Sequence, residues 1–176
     1  MNPWYDMPQT FVDYFTINFK NLKIMIGSRP DLIGVTINFA KSIDMWISVS
    51  DRMGNRYTIP PWTPSMFWYP LPEGPWGYAP FFWIKKLLDR ELSKEKSTSI
   101  YVHCDHGLQR SPLIVYHWLL SHLSEKDTQE LFEAKPSVYQ DLLLREKLGQ
   151  CPPRKELNNL YEKMNLFPEE GFNKIC

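Results

Sequence analysis

A chain of 176 residues, 43% apolar and 15% aromatic, is long enough to bury a sizeable core. Its 20 acidic and 20 basic residues cancel, which argues against long nucleic acids or an anionic membrane surface as the main partner. The three cysteines, Cys104, Cys151 and Cys176, have no framework spacing and suit a reducing compartment; the four histidines are scattered, so no metal and no other cofactor is expected.

Met1-Asn2-Pro3-Trp4-Tyr5-Asp6 lacks the basic start and apolar run of a signal peptide, and no apolar run is long enough to span a bilayer. A cytoplasmic protein without a membrane partner is expected. Residues 1–21 alternate aromatic and polar residues and read as an N-terminal arm or first strand. Two strand candidates follow, around Leu22-Lys23-Ile24-Met25-Ile26 and Met45-Trp46-Ile47-Ser48-Val49.

Residues 52–80 interleave seven prolines, Pro60 to Pro80, with Trp62, Phe67, Trp68, Tyr69, Trp76 and Tyr78. Proline blocks regular ladders, so this stretch reads as a long rigid loop; with its aromatics, 60–83 is expected to shape a pocket rim. Pro80 suits the first turn of a helix whose apolar stripe is Phe81, Ile84, Leu88 and Leu92. Lys94 to Ser99 is a polar connection. A short buried strand, Ser99-Ile100-Tyr101-Val102-His103, leads into the loop from Cys104 to Arg110, and Leu113 to Leu120 reads as a buried helix. From Ser124 onward the chain reads as helical. Ser124 can cap a helix with Glu125 and Asp127 in its first turn, Pro136 begins another, and Leu157, Leu160, Tyr161 and Met164 share a face of the last.

The chemistry concentrates in Cys104-Asp105-His106-Gly107-Leu108-Gln109-Arg110-Ser111. A strand, a short loop and a helix N-terminus make an anion site, because the first-turn N–H groups point into the loop. A cysteine at its mouth favours the thiolate, which is the nucleophile, and an arginine supplies a planar fork matched to phosphate oxygens. Gly107 lets the backbone approach an anion closely. Asp105, His106, Leu108 and Gln109 would add backbone N–H groups, with their side chains tuning access.

His103-Cys104-x5-Arg110-Ser111 resembles the catalytic loop of the cysteine-based protein phosphatases, which include tyrosine and dual-specificity members. Leu22 to Pro30, with its Gly27-Ser28 turn, is similar to that family's first strand. Ile33-Gly34-Val35-Thr36 and Met45 to Asp51 resemble its next helix–strand step, and Tyr69-Pro70-Leu71-Pro72-Glu73-Gly74 resembles its acid-bearing loop. The resemblance implies an α/β fold with a central, mixed, mostly parallel sheet flanked by helices. One domain, 1–176, would comprise the arm (1–21) and a helical C-terminal part (124–176).

It further implies that Cys104 attacks phosphorus and forms a phosphocysteine. Arg110 would bind the equatorial oxygens, Ser111 would donate to the sulfur and ease its release, and His103 would orient the cysteine. The family takes its general acid from an aspartate on a separate loop; here Glu73 occupies that place, a longer side chain with the same chemistry. Asp51, at a strand end, is the second candidate. The implied activity is a phosphomonoesterase acting on phosphotyrosine, alone or with phosphoserine and phosphothreonine, of a phosphorylated protein. Two other readings stand beside it. Cys104-x-His106-Gly107-x-x-Arg110 also resembles the loop of the cysteine-type RNA triphosphatases, making an RNA 5′ end the substrate, although Gln109 and Ser111 depart from that loop. A phosphate-binding module without turnover is the third.

Overall fold

The computed structural model describes residues 14–28, 39, 41–51, 65–72, 74–104 and 110–166. The expected step at 33–36, most of the N-terminal arm, the segment 52–64 and Cys176 lie outside them. The chain divides into two compact units, Met1–Pro72 with Lys94–Ser111 and Glu73–Ser93 with Pro112–Cys176.

The first unit holds a five-stranded sheet built from β1 (Tyr14–Phe19), β2 (Leu22–Ser28), β3 (Met45–Ser50), β4 (Ser65–Leu71) and β5 (Thr98–Cys104), in the order β1-β2-β5-β3-β4. Only β1 and β2 run antiparallel; β2·β5, β5·β3 and β3·β4 are parallel. The expected mixed, mostly parallel sheet of an α/β protein is therefore present. The reason lies in composition. β3 (MWISVS) is buried at every position and β5 (TSIYVHC) at all but one, as inner strands covered on both faces must be. One face carries Ile24, Ile26, Ile47, Ile100 and Val102, each wholly buried. The other carries Met25, Trp46 and Tyr101, packed with Ile43 and flanked by Tyr14 and Phe39. Lys20, at φ 52°, and Asn21 turn β1 into β2. The Asn21 amide donates to the Lys94 and Lys96 carbonyls at 2.7 and 2.9 Å, fixing the connection into β5.

β4 corrects the sequence reading, which assigned all of 52–80 to a loop. Residues 65–71 pair with β3, and Pro70 is tolerated for two reasons. The strand lies at the sheet edge, and the register shifts between Ser48↔Trp68 and Ser50↔Leu71, so Pro70 sits at an irregularity where no ladder donor is required.

The second unit is helical: α1 (Ala79–Ser93), most of α2 (Arg110–Leu120), α3 (Glu125–Leu131), α4 (Pro136–Lys147) and α5 (Arg154–Leu166). Phe81, Ile84 and Leu88 of the expected stripe are fully buried. Ser124 accepts a hydrogen bond from the Asp127 N–H at 3.1 Å, the expected cap, and Pro136 opens α4. No helix among the described residues is long and apolar enough to cross a membrane.

Asp89 organises this unit. Its carboxylate accepts from Lys85 Nζ (2.7 Å) and Trp118 Nε1 (2.8 Å), and His122 Nε2 lies at 2.8 Å. Burial alone would raise its pKa; the hydrogen bonds from His122, Lys85 and Trp118 outweigh burial and hold it at about 2. A carboxyl lowered by folding stabilises the fold above its unfolded value of about 4, and that stabilisation is lost as pH falls through the folded value. Melting temperature should therefore drop between about pH 4 and pH 2, and Asp89→Asn should flatten that drop while lowering stability at pH 7. Equal acid sensitivity in both proteins would show that this network does not carry it.

Candidate active site

The three parallel strands β2, β5 and β3 end side by side at Ser28, Cys104 and Ser50. Crevices beyond the carboxyl ends of such strands are where open parallel sheets bind ligands. Cys104 is the last residue of β5, 1% exposed, with Ser28 as its register partner on β2. Arg110 is the first residue of α2. A long apolar helix is favoured there by Leu113-Ile114-Val115-Tyr116, all buried.

Ser111 is wholly buried, and its Oγ lies 3.7 Å from Cys104 Sγ, within reach of a hydrogen bond to sulfur. The structure thus brings together the nucleophile candidate and the hydroxyl that the sequence assigned to it. Arg110 is 5% exposed. Its Nη1 donates to Asp51 Oδ1 at 3.2 Å and also to the Leu71 carbonyl. Asp51 directly follows β3 and Leu71 ends β4, so the guanidinium bridges two neighbouring strand ends. A planar fork anchored in this way is oriented before any oxyanion arrives. The pairing gives Asp51 a second role that the sequence reading missed, because residues 51 and 110 meet only through the order β5-β3-β4. His103 is fully buried; its Nδ1 lies 3.4 Å from the Cys104 carbonyl oxygen, too long for more than a weak contact.

Asp105, His106, Gly107, Leu108 and Gln109, expected to cradle phosphate, lie outside the described residues, as does Glu73. The segment following Glu73 is held within the second unit. The Trp76 N–H donates to the Gln150 carbonyl at 2.8 Å, and a Cβ on Gly74 would meet that same oxygen at 3.0 Å, a tight contact that glycine avoids.

No protein-family model matches the sequence, and no curated protein is significantly similar to it. Solved structures do match. Tk-PTP in a mutant form superposes with a TM-score of 0.58 at 17% identity, covering 88% of this chain and 97% of that one. Tk-PTP in the active form gives 0.55 at 16%, covering 85% and 98%. A human tyrosine phosphatase-like serine/threonine/tyrosine-interacting protein gives 0.52 at 13%, covering 76% and 96%. The chain has the fold of the protein tyrosine phosphatases. At this identity the likeness establishes architecture alone, and the chemistry must be argued from the residues.

The tyrosine phosphatase fold holds a second buried cysteine here, Cys151. Burial and the nearby Glu146 carboxylate push the Cys151 thiol up to about 12, so it stays protonated and unreactive. His117 Nε2 lies 3.8 Å from Cys151 Sγ and 3.1 Å from Glu146 Oε2, and the three ligand atoms are close enough to hold a metal ion. Arg154 argues against that use. It donates to both Glu146 oxygens, at 2.8 and 2.7 Å, so the carboxylate is already neutralised by a cation. Burial would raise the Glu146 carboxyl, but the hydrogen bonds from Arg154 and His117 hold it at about 2. We read this group as a partly buried ion pair.

Proposed function

We propose that this chain is a phosphomonoesterase that works through a cysteine thiolate and a phosphocysteine, acting on phosphotyrosine, alone or with phosphoserine and phosphothreonine, of protein substrates. The observation that carries the proposal is the grouping of Cys104, Ser111 and Arg110 at one strand end, in the fold of the tyrosine phosphatases. In the first step Cys104 Sγ forms a bond to phosphorus as the P–O bond to the leaving group breaks, and Glu73 supplies the proton that the leaving oxygen takes up. In the second, a water oxygen bonds to phosphorus, its proton passes to the Glu73 carboxylate, and the S–P bond breaks with Ser111 stabilising the departing thiolate. Arg110 balances charge on the equatorial oxygens in both steps. Asp51, the second candidate for the acid, is assigned here to holding the guanidinium, since it already accepts a hydrogen bond from Arg110.

Release of phosphate from a phosphotyrosine peptide tests the proposal, with triphosphate-ended RNA assayed at equal protein. Turnover of the RNA but not the peptide would favour the alternative substrate. Glu73→Gln should slow peptide turnover about a hundredfold or more, while sparing substrates with good leaving groups. Asp51→Asn should weaken all substrates alike. Equal small losses from both, independent of leaving group, would refute the assignment of the acid.

A second reading, a binder of phosphorylated partners without turnover, draws support from the fold likeness to a protein whose name describes it as phosphatase-like and interacting. Binding of the phosphopeptide with no phosphate released from any aryl phosphate would favour it.

A further inference from the structure

Ser28 stands out among the buried polar groups. It is 8% exposed, and its hydroxyl has no hydrogen-bond partner among the described residues. Burying a hydroxyl without a partner is costly, and β2 is otherwise apolar at its buried positions, so an alanine or valine would suit the fold better. The position is also fixed with care. The Ser28 carbonyl accepts a hydrogen bond from the fully buried Tyr101 hydroxyl at 2.6 Å, which pins the end of β2 to β5. What faces Ser28 is Cys104, its register partner on the adjacent parallel strand. Paired positions in parallel strands project from the same face of the sheet, one strand spacing of about 4.8 Å apart.

We infer that Ser28 is a positioning residue for Cys104, its hydroxyl turning to donate to the sulfur when the thiolate forms. The role rests on the reading of Cys104 as the reactive thiolate of the site, as proposed above. A neutral thiol is a weak acceptor, so the resting hydroxyl remains unpartnered; a thiolate is a charged acceptor and makes a hydrogen bond roughly twice as strong as a neutral one. Ser28 would then act from the β2 side while Ser111 acts from α2, leaving the sulfur held between two hydroxyls. This explains why a group that costs stability at rest is kept at this place: stability is traded for a poised site.

Among the described residues, Ser111 reaches the same sulfur at 3.7 Å, Arg110 precedes it at the start of α2 with Asp51 bonded to its guanidinium, and His103 precedes Cys104 on β5. Ser28→Ala alters none of them.

The test uses the full chain and alkylation by iodoacetamide, read on the Cys104 peptide by mass spectrometry so that Cys151 and Cys176 do not interfere. Ser28→Ala should slow Cys104 alkylation about tenfold at about pH 6, where reaction follows the thiolate fraction, and leave it unchanged at strongly alkaline pH. Ser28→Thr, which keeps the hydroxyl, should restore the rate. The melting temperature of Ser28→Ala should be equal to or above that of the parent, since the lost hydroxyl has no partner. An unchanged rate at pH 6, or a fall of several degrees in melting temperature, would overturn the inference. Alkylation needs no turnover, so the two claims fail separately. A chain that releases no phosphate yet shows the alkylation effect refutes the phosphomonoesterase reading and leaves Ser28 in its role. A chain that turns over without the effect does the reverse.

Discussion

Cys104→Ser is expected to release no measurable phosphate from an aryl phosphate, a loss of at least about 10⁴-fold, while still binding a phosphotyrosine peptide. The physical basis is the difference between sulfur and oxygen at this position. A serine hydroxyl is far less acidic than a thiol and would have to lose its proton to attack, and the one described side chain placed against it, Ser111 at 3.7 Å, offers a hydroxyl and not a base. The phosphate contacts are untouched by the change, so peptide binding persists. The fold should be unaffected as well, because oxygen replaces sulfur at a buried site without adding volume. Isothermal titration with the phosphopeptide, alongside a phosphate-release assay, checks both halves. A serine variant that retains even a hundredth of the rate would place the nucleophile elsewhere.

Arg110→Lys should lower kcat/KM about 10²–10³-fold despite keeping the positive charge. One nitrogen of the guanidinium donates to both the Asp51 carboxylate and the Leu71 carbonyl, which fixes the plane of a group whose other nitrogens match an oxyanion's geometry; an ammonium has a single nitrogen and no such plane. A lysine ammonium is a point charge on a flexible stem. It would pair with Asp51 and leave the buried Leu71 carbonyl without its donor, so a loss of stability of about 1–3 kcal/mol should accompany the loss of rate. Inhibition by orthovanadate should weaken in parallel, since it reports binding of an oxyanion without turnover. Activity within a few-fold of the parent would mean that Arg110 serves the sheet and not the substrate.

How far the molecule was legible in its sequence depends on the range of the contact. Local signals were read correctly: the Ser124 cap, the start of α4 at Pro136, the stripe of α1 and the run into β5 each depend on residues within a turn or two. The grouping of Cys104 with Ser111 was also legible, because the two residues lie only 7 positions apart in the chain. Contacts made by sheet order were not. Arg110 and Asp51 are far apart in the chain and meet because β5 and β3 are parallel neighbours. The Ser28–Cys104 pairing has the same origin, and a Gly27-Ser28 turn noted in the sequence carried no hint of it. β4 was hidden for a different reason. Proline was weighed as a breaker, whereas an edge strand with a register shift accommodates Pro70. The partly buried ion pair of Arg154 and Glu146, with His117 beside it, draws on α5, α4 and α2, and no spacing rule would have joined them.

The central claim is covalent: phosphorus passes through Cys104. Rapid acid quenching of the parent protein with an aryl phosphate, followed by peptide mass spectrometry, tests this most directly. The account predicts the mass of one phosphoryl group on the peptide containing Cys104, formed within a single turnover and absent from Cys104→Ser. Steady phosphate release with no phosphoryl group on Cys104, or with that group on another residue, would contradict it.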